Sequence, residues 1–236
     1  MSKQCIHFIT YGDKVFEDAR KRIVEEAQNV RWFDTITAYT PDSLGKSFKH
    51  EYSEVLSQKR GGGYWIWKFD IIRQKLDEIP FGDIVVYIDS GCTINPKGEK
   101  RFQEYVQMLN NTDKCIISFE LTHLEKTYTT KQLLQYFNLC DDISYQYMAT
   151  VLLMKKSLHV LDIFNTCFDV IKTDWRLITD YYNKNDQMKD FKDNRHDQSI
   201  LSLVRKNKGS IVLPDETYNS NFNKQNNYPF WATRKR

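Results

Sequence analysis

The stretch Gly82-Asp-Ile-Val-Val-Tyr-Ile-Asp-Ser-Gly-Cys92 decides how the chain is read. Residues 84–88 form a short, unbroken apolar run opened by Pro80-Phe-Gly-Asp, which predicts a central strand. Asp89-Ser-Gly then falls at the carboxyl end of that strand, where the loops of an open α/β sheet gather polar groups around ligands. The tripeptide has two readings. It makes a turn, because Asp and Ser bond nearby backbone and Gly tolerates positive φ. Alternatively, it holds the Asp89 carboxylate on a rigid element, where a hard cation and phosphate oxygens can share it.

Upstream, Arg60-Gly-Gly-Gly-Tyr-Trp-Ile-Trp-Lys68 breaks the chain at its glycines and continues with helical composition over residues 64–76. The glycine triplet has neither the spacing nor the Lys-Ser/Thr ending of a phosphate-binding P-loop or a dinucleotide fingerprint, so ATPase and dehydrogenase readings lose their main support. Trp65, Trp67 and Phe69 read as core packing or as a ligand face. Further strands are expected at 5–10, 35–39, 114–119, 149–154 and 210–213. Helices are expected at 14–28, with Val15, Ala19, Ile23 and Ala27 on one face, and at 101–109, 131–137, 158–171 and from about 196 to 205. Residues 44–57 read as irregular or helical around Phe48, Tyr52 and Leu56. The alternation predicts an α/β fold with a mostly parallel central sheet flanked by helices, in a single domain.

The bulk properties agree with a folded enzyme-sized chain. It has 236 residues, 41% hydrophobic and 28% charged, with 14 Tyr, 14 Phe and 5 Trp, which is too apolar for disorder. A net charge of +3 is too mild to argue for nucleic acid as the main partner but suits an anionic small ligand. Cys5, Cys92, Cys115, Cys140 and Cys167 contain no CxxC pair, which argues against a disulfide framework or structural zinc and for a reducing compartment. With no signal-peptide pattern and no run of about 20 apolar residues, the expected location is the cytoplasm.

The two motifs together, with Phe119-Glu-Leu-Thr-His-Leu-Glu-Lys126 and Arg195-His-Asp-Gln-Ser-Ile200, resemble a group of GT-A glycosyltransferases found in viruses and bacteria. The resemblance covers most of the chain to about residue 205. It implies a nucleotide-sugar donor lying across the N-terminal half-sheet, residues 1–95, with an acceptor half at 96–236. Asp89 takes the place of the first acid of the Asp-x-Asp metal motif, and Gly91 stands where the second acid belongs. A divalent cation, Mn²⁺ or Mg²⁺, is thus expected on Asp89, the donor diphosphate and water. Donor contacts are expected from Tyr11 and Gly12 to the base and ribose. Arg60, Gly61, Gly62 and Lys68 are expected around the diphosphate, with Tyr64, Trp67, Ser90, Gly91, His196 and Gln198 completing the donor site.

Asp197 and Glu120 are the expected catalytic acids. Asp197 also has a structural reading, as the third residue of a helix capped by Asn194. His123 reads as a solvated loop side chain. The expected reaction moves a sugar from a nucleoside diphosphate, UDP by default, to a hydroxyl of a glycan, lipid or protein acceptor. A catalytically silent sugar-nucleotide-binding protein and a nucleic-acid-binding module are the competing readings. Residues 219–236, rich in Asn, Lys and aromatics, read as a surface tail, as a cover over the donor, or as a contact to a membrane-bound acceptor through the basic end.

Overall fold

A computed structural model describes residues 3–141, 143–218, 222 and 227–235. Its strands are β1 (Ile6–Tyr11), β2 (Thr35–Tyr39), β3 (Ile84–Ile88), β4 (Thr93–Ile94), β5 (Ile117–Leu124), β6 (Tyr145–Tyr147), β7 (Val151–Lys155), β8 (Ile211–Pro214) and β9 (Phe230–Trp231). Its helices are α1 (Glu17–Val30), α2 (Lys46–Glu51), α3 (Ser53–Leu56), α4 (Gly61–Tyr64), α5 (Trp67–Glu78), α6 (Glu99–Asn110), α7 (Glu125–Tyr128), α8 (Lys131–Tyr136), α9 (Leu158–Thr173) and α10 (Asp197–Lys208).

The main sheet has the order β2-β1-β3-β7. β1 runs parallel to both β2 and β3, and β7 closes the sheet antiparallel to β3. Alternate side chains leave opposite faces of a strand, and here both faces are covered. Ile9, Tyr11, Val85 and Tyr87 enter one core with residues of α5, α9 and α10, while Phe8, Ile84, Val86 and Ile88 enter another with Ile23 of α1 and Phe102 and Tyr105 of α6. The mostly parallel sheet flanked by helices is therefore observed. A second sheet, β6-β5-β8, meets β7 at its edge, where Lys155 N donates to Cys115 O (2.8 Å) just before β5 and Ile116 bridges Met154. β7 lies in the 96–236 portion of the chain, so the two expected halves share one sheet. No helix among the described residues is long and apolar enough to cross a membrane.

Three local expectations are corrected. The first helix starts at Glu17, because Asp13 Oδ1 accepts from Val15 N (2.9 Å) and Phe16 N (3.2 Å) and fixes a separate 3-10 turn, leaving Val15 75% exposed rather than on the buried face. The helix expected from residue 64 starts at Trp67. α10 starts at Asp197 with His196 before it and no side-chain cap. Asn194 instead stitches two loops: its amide donates to Thr179 O (2.9 Å) and its Oδ1 accepts from His196 N (3.2 Å).

The second correction has a specific cause. Gly61, Gly62, Gly63, Tyr64 and Trp65 all have positive φ (59°, 58°, 97°, 52° and 59°). Tyr64 N donates to Arg60 O (2.7 Å) and Trp65 N to Gly61 O (3.3 Å), so α4 is a turn of left-handed helix. Glycine enters that region without a Cβ penalty, whereas each L-residue costs about 1–2 kcal/mol. Three glycines lower the cost of the turn, and Tyr64 and Trp65 carry the strain that remains.

Candidate functional site

The site forms where the carboxyl end of β3 meets the first turns of α5 and α10. β3 fixes Asp89, whose N–H donates to Thr150 O (2.9 Å), and Cys92 N donates back to Asp89 O (2.9 Å) to close the turn. Asp89 Oδ1 accepts from the Tyr87 hydroxyl and lies 3.4 Å from Lys68 Nζ. Its second carboxylate oxygen bonds to no described residue, and the side chain is 31% exposed. Asp89 is therefore both the turn former and a carboxylate that reaches solvent.

Lys68, in the first turn of α5, is buried. Its ammonium donates to Asp197 Oδ2 (2.5 Å) and Ala149 O (3.0 Å) and lies 5.0 Å from the centre of the Tyr87 ring. A buried ammonium is tolerated only when paired, and removing one partner of such a pair costs about 3–5 kcal/mol. Asp197 opens α10, where the helix dipole favours an acid. Burial pushes its carboxyl up to about 6 against the opposing pull of Lys68. Burial works against the charge of Lys68, and Asp197 and then Asp89 overcome it, so its pKa lies above the ordinary lysine value. At neutral pH the pair is ionised and neutral as a whole, with its ammonium end held beside the solvent-reaching acid Asp89.

The other expected donor residues fall in three environments. Tyr11 and Trp67 are buried and stacked, ring centres 3.7 Å apart and 15° from parallel, a contact worth about 1 kcal/mol beyond area burial. One face of each ring is thus already occupied, and Trp67 Nε1 donates to Gly61 O (2.9 Å). Gly12 sits against α1, where an added Cβ would lie 3.2 Å from Arg20 Cβ. Gly62 faces the same end of β1: a Cβ there would lie 3.9 Å from Asp13 Oδ2. Ser90 is buried, and its carbonyl accepts from Arg22 Nη2 (2.8 Å).

Arg60 reaches away from Asp89 into a second cluster. Its guanidinium donates to Asp180 Oδ2 (2.8 Å) and Asp193 Oδ2 (2.7 Å). His196 Nε2 lies 2.9 Å from Asp180 Oδ1, and the imidazole stacks on Tyr64 at 5.0 Å. Burial lowers the His196 pKa more than Asp180 raises it. The cluster locks the left-handed turn to the chain that leads into α10. Gln198 is used in the fold: its Oε1 accepts from Ala149 N (3.2 Å) and its amide donates to Gln146 Oε1 (2.8 Å). Glu120 lies on β5 opposite Tyr147 and forms no side-chain hydrogen bond or ion pair with a described residue. His123, expected to be a solvated loop side chain, instead lies half-buried on β5, edge-on to Tyr128.

Lys68, Asp89 and Asp197 are thus brought into direct contact, while Arg60 and Glu120 are not part of that contact. Tyr87, Asp13, Asp180 and Asp193 were missed by sequence reasoning. Tyr87 had a signal, since it lies two residues before Asp89 and so on the same strand face, and Asp13 had one as an acid in the turn that ends the first strand; Asp180 and Asp193 had none, lying 120 and 133 residues from the Arg60 they bind. Among the described residues no group of three or more His, Cys, Asp or Glu is placed to hold a metal ion. The free oxygen of Asp89 is one hard ligand. That suits Mg²⁺ or Mn²⁺, which accept one or two carboxylates when substrate phosphates and water complete the shell. A cleft of about 600 Å³ between α2, α5 and α9, lined by Ser47, Tyr52, Asp70, Arg73, Asn165 and Lys172 among others, includes none of these residues. The chemistry, not cleft size, locates the site.

No protein-family model and no curated protein sequence matches the chain. Solved structures do. A glycosyltransferase involved in the glycosylation of the major capsid of PBCV-1 superposes with a TM-score of 0.53 at 14% identity, over 96% of this chain and 93% of that one. The galactosyltransferase LgtC, solved with donor and acceptor sugar analogues, gives 0.51 at 13% identity, over 98% and 84%. The bifunctional glycosyltransferase WbbM gives 0.56 at 11% identity over 92% of this chain, which spans 40% of that longer one. The fold is the one these glycosyltransferases share.

Proposed function

We propose that this chain is a glycosyltransferase, moving a sugar from a nucleoside-diphosphate sugar, UDP-linked by default, to a hydroxyl of a glycan, lipid or protein acceptor. The observation that carries the reading is the convergence of Lys68, Asp89 and Asp197 at the carboxyl end of β3, within a fold shared with glycosyltransferases. Lys68 keeps positive charge at the crevice and draws the developing charge of the leaving diphosphate, an electrostatic role that costs no reorganisation when fixed in advance. Asp197 holds Lys68 in place. Tyr87 and Lys68 both engage Asp89 Oδ1, which turns the other oxygen outward. A divalent cation held there by Asp89 would neutralise charge on the leaving diphosphate. Glu120, unpaired on β5, is the acid available to take a proton from an acceptor hydroxyl.

The test is a donor panel assayed for nucleotide release with and without EDTA. Release of one nucleoside diphosphate, faster with acceptor present, supports transfer. Binding without turnover for every donor would instead identify a silent sugar-nucleotide-binding protein, and no binding of any donor would reject both. Tight, salt-sensitive binding of oligonucleotides that survives Asp89→Ala would favour the nucleic-acid reading.

A further inference from the structure

Residue 91 is glycine although its backbone does not require it: its φ lies outside the left-handed region that Gly61, Gly62, Gly63, Gly82 and Gly209 occupy. What it accommodates is another piece of main chain. A Cβ at position 91 would stand 3.2 Å from the Lys235 carbonyl oxygen and 3.4 Å from Arg234 Cα. Lys235 N and Thr233 Oγ1 both donate to Gly91 O (2.8 and 3.0 Å), and the Thr93 and Thr233 hydroxyls are 3.0 Å apart. Further back, β9 pairs with β4, and Phe230 is buried against Trp32 and Phe102. A Cβ on Gly98 would come within 2.3 Å of Pro229 Cα, so this segment is seated on two glycines.

The seat delivers charge. Arg234 and Lys235 are exposed and form no side-chain hydrogen bond or ion pair with a described residue. Arg234 is held at φ 55°, a conformation that persists in a non-glycine residue only where its surroundings impose it. Arg22 reaches the same turn through Ser90 O, and Lys68 stands behind Asp89. Arg22 is already paired with Glu26 (2.7 Å) and Lys68 with Asp197 (2.5 Å), so at this turn Arg234 and Lys235 are the cations not neutralised by a described acid, and phosphate oxygens can take them.

We propose that residues 233–235 are the missing half of the diphosphate site: their backbone fills the room that a second acid would need, and the side chains of Arg234 and Lys235 bind the phosphates of a nucleoside diphosphate. The proposal rests on the sugar-nucleotide reading above. It turns the glycine at 91 from a lost ligand into a seat. It also makes an unusual demand: Gly91→Asp, which restores the Asp-x-Asp pattern, weakens the site because the new side chain pushes the segment off the turn.

Calorimetric titration of the full chain with UDP, GDP, CDP and ADP, with and without Mn²⁺, tests this, with thermal midpoints confirming that each variant is folded. The expected result is that at least one diphosphate binds, that the double variant Arg234→Ala/Lys235→Ala binds it tenfold or more weakly, and that Gly91→Asp also binds it more weakly even with Mn²⁺ present. Unchanged affinity in the double variant, or tighter Mn²⁺-dependent binding in Gly91→Asp, overturns the proposal and leaves the glycosyltransferase reading standing. A natural chain that binds no nucleoside diphosphate overturns both.

Discussion

The two glycine-containing turns near the site differ in backbone conformation: Gly61, Gly62 and Gly63 have positive φ, and Gly91 does not. In Gly61–Trp65 all three glycines are required by conformation, since each has φ between 58° and 97°, and Gly61 and Gly63 by space as well, since a Cβ would stand 2.4 Å from the Trp65 ring and 2.8 Å from Leu56 Cα. At Gly91 the glycine is required by space, because main chain passes within 3.2 Å of where a Cβ would be. The first turn is a strained hinge fastened by the Arg60, Asp180, Asp193 and His196 cluster. The second is an unstrained turn wedged between the strand end and residues 233–235. The contrast shows that a glycine says only that a Cβ is unwelcome, and the neighbours say why.

Substitutions can break or sharpen this contrast. Asp89→Asn should have the largest effect, because it removes the charge that faces the crevice while keeping the turn: transfer should fall at least about a thousandfold, equivalent to about 4 kcal/mol, with the thermal midpoint little changed. Near-normal turnover would remove the mechanistic role of Asp89. Gly63→Ala should damage the left-handed turn more than Gly62→Ala does. It combines the φ penalty with a Cβ 2.8 Å from Leu56 Cα, and should cost about 3 kcal/mol in denaturant unfolding.

The pH dependence of Asp197 probes the charged pair itself. Its folded pKa of about 6 lies above the ordinary carboxylate value, so between pH 4 and 6 the folded state holds a proton that the unfolded state has released. The group's contribution to stability is therefore present below about pH 4 and is lost as pH rises through 6. Activity should move the opposite way: once Asp197 is protonated its grip on Lys68 weakens, and turnover should drop about tenfold for each unit below pH 6. An activity profile flat from pH 7 to 5 would disconnect the pair from the reaction. The smallest effect belongs to Gly62→Ala, where φ is 58° but the nearest atom to an added Cβ is 3.8 Å away; it should cost only about 1 kcal/mol, the conformational term alone. If Gly62→Ala and Gly63→Ala cost the same, the distinction between conformation and space fails within this turn.

Much of the frame was legible because short β-rich runs between turn formers advertise themselves. Residues 35–39 and 84–88 were read to the residue, since their apolar, β-branched runs are bounded by turn formers. The start of α5 was misread because periodicity assumes right-handed helix, and Tyr64-Trp65 continues the apolar composition backwards into a left-handed turn. Val15 fits a helical face in sequence but was removed from it by the Asp13 cap. The antiparallel placement of β7 carries no local signal. At the site, Asp89 could be found from its strand, whereas its relation to Lys68 and Asp197 could not, because the lysine and Asp197 are separated by 129 residues. The expected role of residues 219–236 is only partly open to description, since 219–221, 223–226 and 236 lie outside the described residues.

That separation also bears on how the protein comes into being. Lys68 meets Asp197 across 129 positions, and Thr233 meets Gly91 across 142. Contacts so remote must wait for loop closure, which slows folding. During synthesis the parallel strands β1 to β3 can leave the ribosome long before the residues that complete the crevice exist. Until α10 and then residues 233–235 arrive, the ammonium of Lys68 lacks its buried partner and the turn after β3 lacks its seat. The chemistry is thus assembled late, and a nascent chain can carry most of the sheet while remaining inert.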